Sequence, residues 1–247
     1  MALFKRNNDT PARHTLRALA RLLAYPDAAQ REHLPALREA LHGERALSSD
    51  RLAELDALIA LLQGGDALAV EAGYVELFDR GRTTSLHLFE HVHGDSRDRG
   101  PAMIDLHQTY EKAGLYLGAD ELPDYLPVVL EFVSTQPRAE ARAFLGEMAH
   151  ILNALCTALN ARRSRYAAVL AAVLELAGER VQPVKLAPEE AIDDTWAEPP
   201  AFDGCSTKGQ SAPGAPGARS GAQPVNIDGL ARRSGKPNNA VTNGVAP

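Results

Sequence analysis

Nowhere in this chain is there the run of ~18 uninterrupted apolar residues that a membrane span requires. Residues 1–8 likewise lack the apolar core of a secretion signal, so a cytoplasmic protein without membrane insertion is expected. Cysteine is almost absent. Cys156 falls in a helical pattern and Cys205 in a polar tail, which does not make a disulfide framework. Neither has the neighbours of an activated thiol, so cysteine catalysis is not expected. Aromatics make up 5% of a chain that is 45% hydrophobic, so the core must be built mainly of Leu, Ala and Val, a balance that favours helices. No period-two alternation marks a strand, and no glycine-rich loop followed by Lys-Ser/Thr marks a phosphate site. Positive charge is scarce as well. The formal net charge is −6, and because residues 199–247 carry +3, the remainder carries −9. Such a body is a poor partner for nucleic acid and a good one for a basic segment.

What the chain does have is Leu/Ala stripes at helical spacing. Thr10-Pro11, Asp27, Ser48 and Asp66 read as helix starts; Tyr25-Pro26, Gly43, Gly64-Gly65 and Gly81 read as stops. Pro35 predicts a kink or restart in the second helix. A short fifth helix is expected from Thr84 or Ser85 to His93, and a sixth carries Met103, Leu106 and Tyr110 as far as Gly114. A seventh runs through Leu122, Leu126, Val129 and Val133, with Pro127 as a distortion. Pro137 opens the longest helix, whose stripe continues from Ala141 to Leu159, and Ser164 caps the last one, ending at Gly178. The expected fold is all-α: a single globular bundle of about nine helices over residues 1–180. Residues 181–247, acidic and then Gly/Pro-rich, are expected to form a mostly disordered tail.

The most information-rich stretch is residues 74–106, YVELFDRGRTTSLHLFEHVHGDSRDRGPAMIDL. Its His87-Leu-Phe-Glu90-His91 matches the H-x-x-E-H pattern of inverted zinc peptidases. On one helix face His87 and His91 could share a metal, with Glu90 as general base. Any third ligand must come from candidates such as Asp105 or Glu111, so an ordinary polar helix face is the plainer reading and a zinc-dependent hydrolase the alternative. The histidines also form a candidate protonation-sensitive patch. Arg80, Arg82, Arg97 and Arg99 can pair with Asp79, Glu90, Asp95 and Asp98, or else form an anion site. The single Trp196, between Asp193-Asp194 and Glu198, is either a docking anchor or an incidental tail aromatic.

The same stretch closely resembles the central segment of the nitrate reductase molybdenum cofactor assembly chaperones of NarJ type. ELPDYLPVVLEFVSTQP, LARLLAYPD, SRYAAVL and the DDTWAE run are similar to that family too, so the likeness spans most of residues 14–205. The resemblance implies a non-enzymatic helical chaperone with no cofactor or metal of its own. Its partner would be the apo catalytic subunit of respiratory nitrate reductase, bound notably at its N-terminal peptide. It would keep that subunit competent for molybdenum cofactor insertion and delay its membrane docking. Molybdenum cofactor biosynthesis proteins are further candidate partners. Candidate apolar groove residues are Tyr74, Leu77, Phe78, Phe89, Tyr110, Leu126 and Phe132, each equally readable as core. Glu90, Asp105 and Asp124 are candidates for an acidic rim, alongside Glu76 and Glu131. His87, His91 and His93 are candidates for pH tuning.

Overall fold

The computed structural model describes residues 12–93, 96–119 and 121–185. The Thr10-Pro11 signal, Asp95 and the expectations for residues 186–247 lie outside them. Among the described residues there are ten α-helices and no strand: α1 (Arg13–Leu23), α2 (Ala28–Glu44), α3 (Ser49–Gly64), α4 (Ala67–Phe78), α5 (Leu88–Val92), α6 (Arg99–Lys112), α7 (Leu126–Thr135), α8 (Arg138–Glu147), α9 (Ala149–Ala161) and α10 (Ala167–Ala177), with one 3-10 turn at Arg82–Thr84. The all-α expectation holds.

Three helix starts follow the capping chemistry of the sequence. Asp27 Oδ1 accepts the Gln30 N–H at 2.7 Å, Ser48 Oγ the Arg51 N–H at 3.4 Å, and Asp66 Oδ2 the Ala69 N–H at 3.0 Å, each satisfying a free first-turn donor. Other boundaries move. α2 runs unbroken past Pro35, which is exposed, so water can reach the backbone groups it leaves unpaired. α7 begins at Leu126 rather than Leu122, which puts Pro127 in the first turn, where its missing N–H costs little. The helix expected to be longest is two: Met148, at φ −90° and ψ 0°, separates α8 from α9. The short fifth helix is only Leu88–Val92, and His87 stands before it in extended backbone.

Burial locates the centre. Nine of the eleven residues of α10 are buried, as are eight of the ten of α7, matching sequences that are apolar on nearly every face. α10 packs against α9, α8, α3 and α1, while α1 packs on α7 and α2. Gly178, at φ +79°, ends α10 in the left-handed conformation that glycine adopts without strain. The chain then continues along α9, where the Gln182 N–H meets Asn153 Oδ1 at 2.7 Å and the Val184 N–H meets Thr157 Oγ1 at 3.2 Å.

Candidate functional site

The stretch from Ser85 to His93 is clasped by the turn before α7. His87 and Tyr125 form an isolated antiparallel bridge, and the Leu126 N–H donates to Leu86 O at 2.9 Å. Asp124, fully buried, completes the clasp. Its carbonyl accepts the Leu88 N–H at 3.0 Å, and its carboxylate accepts the Phe89 N–H at 3.2 Å. These are the first two free donors of α5, and no side chain at its own N-cap bonds to them. Asp124 therefore caps a helix 35 residues earlier in sequence. The same carboxylate lies 3.3 Å from His87 Nδ1 and 3.9 Å from Arg99, whose guanidinium also lies 3.5 Å from Glu90.

This arrangement corrects the zinc-peptidase geometry. Because His87 lies outside the helix, it does not stand one turn below His91 on a shared face. His87 Nδ1 is turned to Asp124, and His91 Nε2–H donates to Ser85 O at 2.8 Å. Among the described residues no three His, Cys, Asp or Glu side chains are arranged to hold a metal ion. The two histidines also differ electrostatically. The hydrogen bond to Asp124 raises the His87 pKa, whereas burial lowers that of His91.

Above the clasp lies a groove of about 520 Å³ between the end of α1, the end of α4 and the start of α7. Tyr74 and Phe78 form its floor, their rings 4.7 Å apart, and the Tyr74 hydroxyl donates to Leu23 O at 2.7 Å. Tyr25 meets Tyr74 edge-on at 5.5 Å. Leu86, Leu122, Tyr125, Pro127 and Val128 complete the apolar wall. Tyr25 and Leu122 are 43% and 46% exposed, so part of this wall faces solvent. Asp79, Glu121 and Glu131 line the groove from exposed positions, against Arg21 and the half-buried His87. Beside it, sharing Phe78, Asp79 and His87, is a polar cavity of about 440 Å³ lined also by Arg80, Arg82, Glu90 and Arg99.

Of the residues singled out in the sequence, Tyr74, Phe78 and His87 line the groove, with Glu131 on its rim, and Glu90 lines the neighbouring cavity. Asp124, Phe89 and His91 belong to the clasp beneath. His93 sets its ring edge-on to Phe89 at 5.4 Å. Tyr110, Leu126 and Phe132 are core: the Tyr110 hydroxyl donates to Pro123 O at 2.8 Å and its ring lies 4.6 Å from that of Phe132. Leu77 is half-buried against that core, and Asp105 is exposed on α6, lining neither cavity. Sequence reasoning missed Tyr25, Glu121, Leu122 and Tyr125. They stand outside the helices, and what marked them was their place within LARLLAYPD and ELPDYLP, with Leu122 also counted into the seventh helix. Arg99 pairs with Glu90, one of the carboxylates expected for these arginines, whereas Arg80 pairs with Glu76 at 3.0 Å, a partner outside the expected set.

Residues 26–172 match the family model described as nitrate reductase delta subunit. The chain is 45% identical over 180 residues to the nitrate reductase molybdenum cofactor assembly chaperone NarJ of Escherichia coli K12, covering 72% of this chain and 76% of that protein. It is 44% identical over 138 residues to the probable chaperone NarW of the same organism, covering 52% and 60%. With the probable NarJ of Bacillus subtilis it shares 32% identity over 181 residues, 70% of this chain and 95% of that one.

Proposed function

The chain belongs to the nitrate reductase delta subunit family, and from that premise we propose that it is a non-catalytic, cytoplasmic assembly chaperone for the apo catalytic subunit of a respiratory nitrate reductase. It holds the N-terminal segment of that subunit as a helix in the groove between α1, α4 and α7. While held there, the segment is kept from the membrane partner and the subunit stays open to molybdenum cofactor insertion. The cofactor is the client's cargo, not a resident of this chain.

The observation that carries this reading is an exposed apolar groove with an acidic rim, in a chain whose relatives are named as assembly chaperones. A leading segment that is partly apolar and basic fits both halves of that description, and an amphipathic helix laid in a groove is a common way to recognise one. Burying ~400 Å² of its apolar surface is worth roughly 10 kcal/mol gross at ~25 cal/mol/Å². Ordering the segment takes back ~2–5 kcal/mol, before the loss of rigid-body freedom. The remainder suits a grip that must later release.

Titration calorimetry of the full chain with a synthetic peptide copying the client N-terminus tests the proposal. Saturable binding is expected, and Leu122→Asp should weaken it by ~10-fold or more, about 1.4 kcal/mol, because a charge then stands in the apolar wall. Leu122 is partly exposed and outside every helix, so the variant should keep its helical circular dichroism. No heat from the peptide, or equal affinity in the variant, would sink this assignment of the groove.

A further inference from the structure

Charge separates the cavities. The groove carries Asp79, Glu121 and Glu131 against Arg21 and the shared His87, so a strongly acidic ligand is disfavoured there. A third cleft, beside Cys156, has Arg51 and Arg165 against Glu54, and its lining of small and polar residues includes no aromatic ring. The cavity next to the groove is different: Arg80, Arg82 and Arg99 line it together with His87, against Asp79 and Glu90. Each guanidinium offers five donors, so an existing ion pair leaves capacity for a second carboxylate.

The chain itself supplies such a ligand. Glu189, Glu190, Asp193, Asp194 and Glu198 place five carboxylates and no base within ten residues, around Trp196. The described chain also leads the right way. It passes Asn153 and then Thr157, heading for the C-terminal end of α9. At that end Arg162 packs on Gly81, beside the 3-10 turn that borders the cavity. At ~3.3 Å per extended residue, Glu189 lies within ~13 Å of Lys185 and Trp196 within ~36 Å, so the span is short enough to reach.

We infer that residues 189–198 of this same chain dock on the arginine-lined cavity, carboxylates on Arg80, Arg82 and Arg99 and Trp196 against the Phe78 wall shared with the groove.

Trp196 is the chain's one tryptophan, so its fluorescence in the full-length protein reports the docking directly. The emission should be blue-shifted, and acrylamide quenching several-fold weaker, relative to a free peptide copying residues 186–200. The Asp193→Lys/Asp194→Lys double variant and, separately, Arg80→Glu should each return both readings to the free-peptide values. Arg80 is exposed and, among the described residues, its ion pair is with Glu76 one turn away, so its reversal should leave the fold intact. Quenching equal to that of the free peptide overturns the inference. So does protection that survives both variants, which places the segment elsewhere, or protection that grows with protein concentration, which makes the occupant a second copy's segment. No client peptide enters these measurements, so their outcome is independent of the function proposed above.

Discussion

Asp124 does at one residue what the sequence assigned to several. Its carboxylate satisfies a buried N–H of α5, meets His87 and approaches Arg99, all from a fully buried position. Asp124→Ala removes the acceptor and leaves His87 without a counter-charge, so it should cost about 2–4 kcal/mol. Asp124→Asn keeps an acceptor for Phe89 and should cost about half as much; urea unfolding of the two variants checks the order. The neighbouring histidines make a paired test. His87 has a raised pKa, so its contribution is complete below the ordinary value of about 6.5 and is lost as pH rises through the raised value. His91 has a lowered pKa, so its contribution is complete above about 6.5 and is lost as pH falls through the lowered value. The stability advantage of the native chain over His87→Gln should therefore shrink toward alkaline pH, and its advantage over His91→Gln should shrink toward acid. Slopes of the same sign in the two series would contradict the tautomers and partners described.

At the scale of elements, local chemistry was legible and long-range chemistry was not. Asp27, Ser48 and Asp66 cap their helices because the acceptor and its donor are three residues apart, a relation the sequence displays. The break at Met148 was invisible because Ala141, Leu145, Leu152, Leu155 and Leu159 remain buried on either side of it, in a stripe whose spacing does not change. His87 was expected in a helix because nothing nearby in sequence forbids it; what holds it out is Tyr125 and Asp124, more than 35 residues away. For the candidate site, the buried floor of Tyr74 and Phe78 was legible from helical spacing. Tyr25 and Tyr125 were passed over because they lie outside the helices, where apolar periodicity says nothing, and Leu122 because its spacing to Leu126 counted it into a helix that starts only at Leu126. α2 offers a direct test of local against tertiary preference. Arg31 donates to Leu62 O at 3.0 Å and Gly65 O at 2.8 Å, tying α2 to the end of α3 and helping it run on past Pro35. Pro35→Ala restores the missing helical hydrogen bond at an exposed position and should stabilise the protein by about 1–3 kcal/mol. By scanning calorimetry that is a rise in Tm of several degrees, ~2–4 °C per kcal/mol for a chain of this size.

For the whole molecule, the two halves of the groove act over different distances, and salt separates them. The apolar wall of Tyr25, Leu122 and Val128 works only on contact and is little affected by ionic strength. The rim of Asp79, Glu121 and Glu131 is exposed, so its attraction for a basic segment is screened, with a Debye length of ~10 Å at 0.1 M salt and ~3 Å at 1 M. Each exposed pair is worth about 0.2–1 kcal/mol, so reversing two rim charges should change affinity by roughly ten-fold at low salt. Glu121→Lys/Glu131→Lys is therefore expected to weaken peptide capture markedly at low ionic strength and only slightly in 1 M salt. Leu122→Asp should instead carry most of its loss at both. Calorimetric titrations of the two variants at both salt concentrations decide the matter. If the rim variant lost the same affinity at high and low salt, its carboxylates would be acting through the shape of the groove, and the acidic body would have no part in drawing the client in.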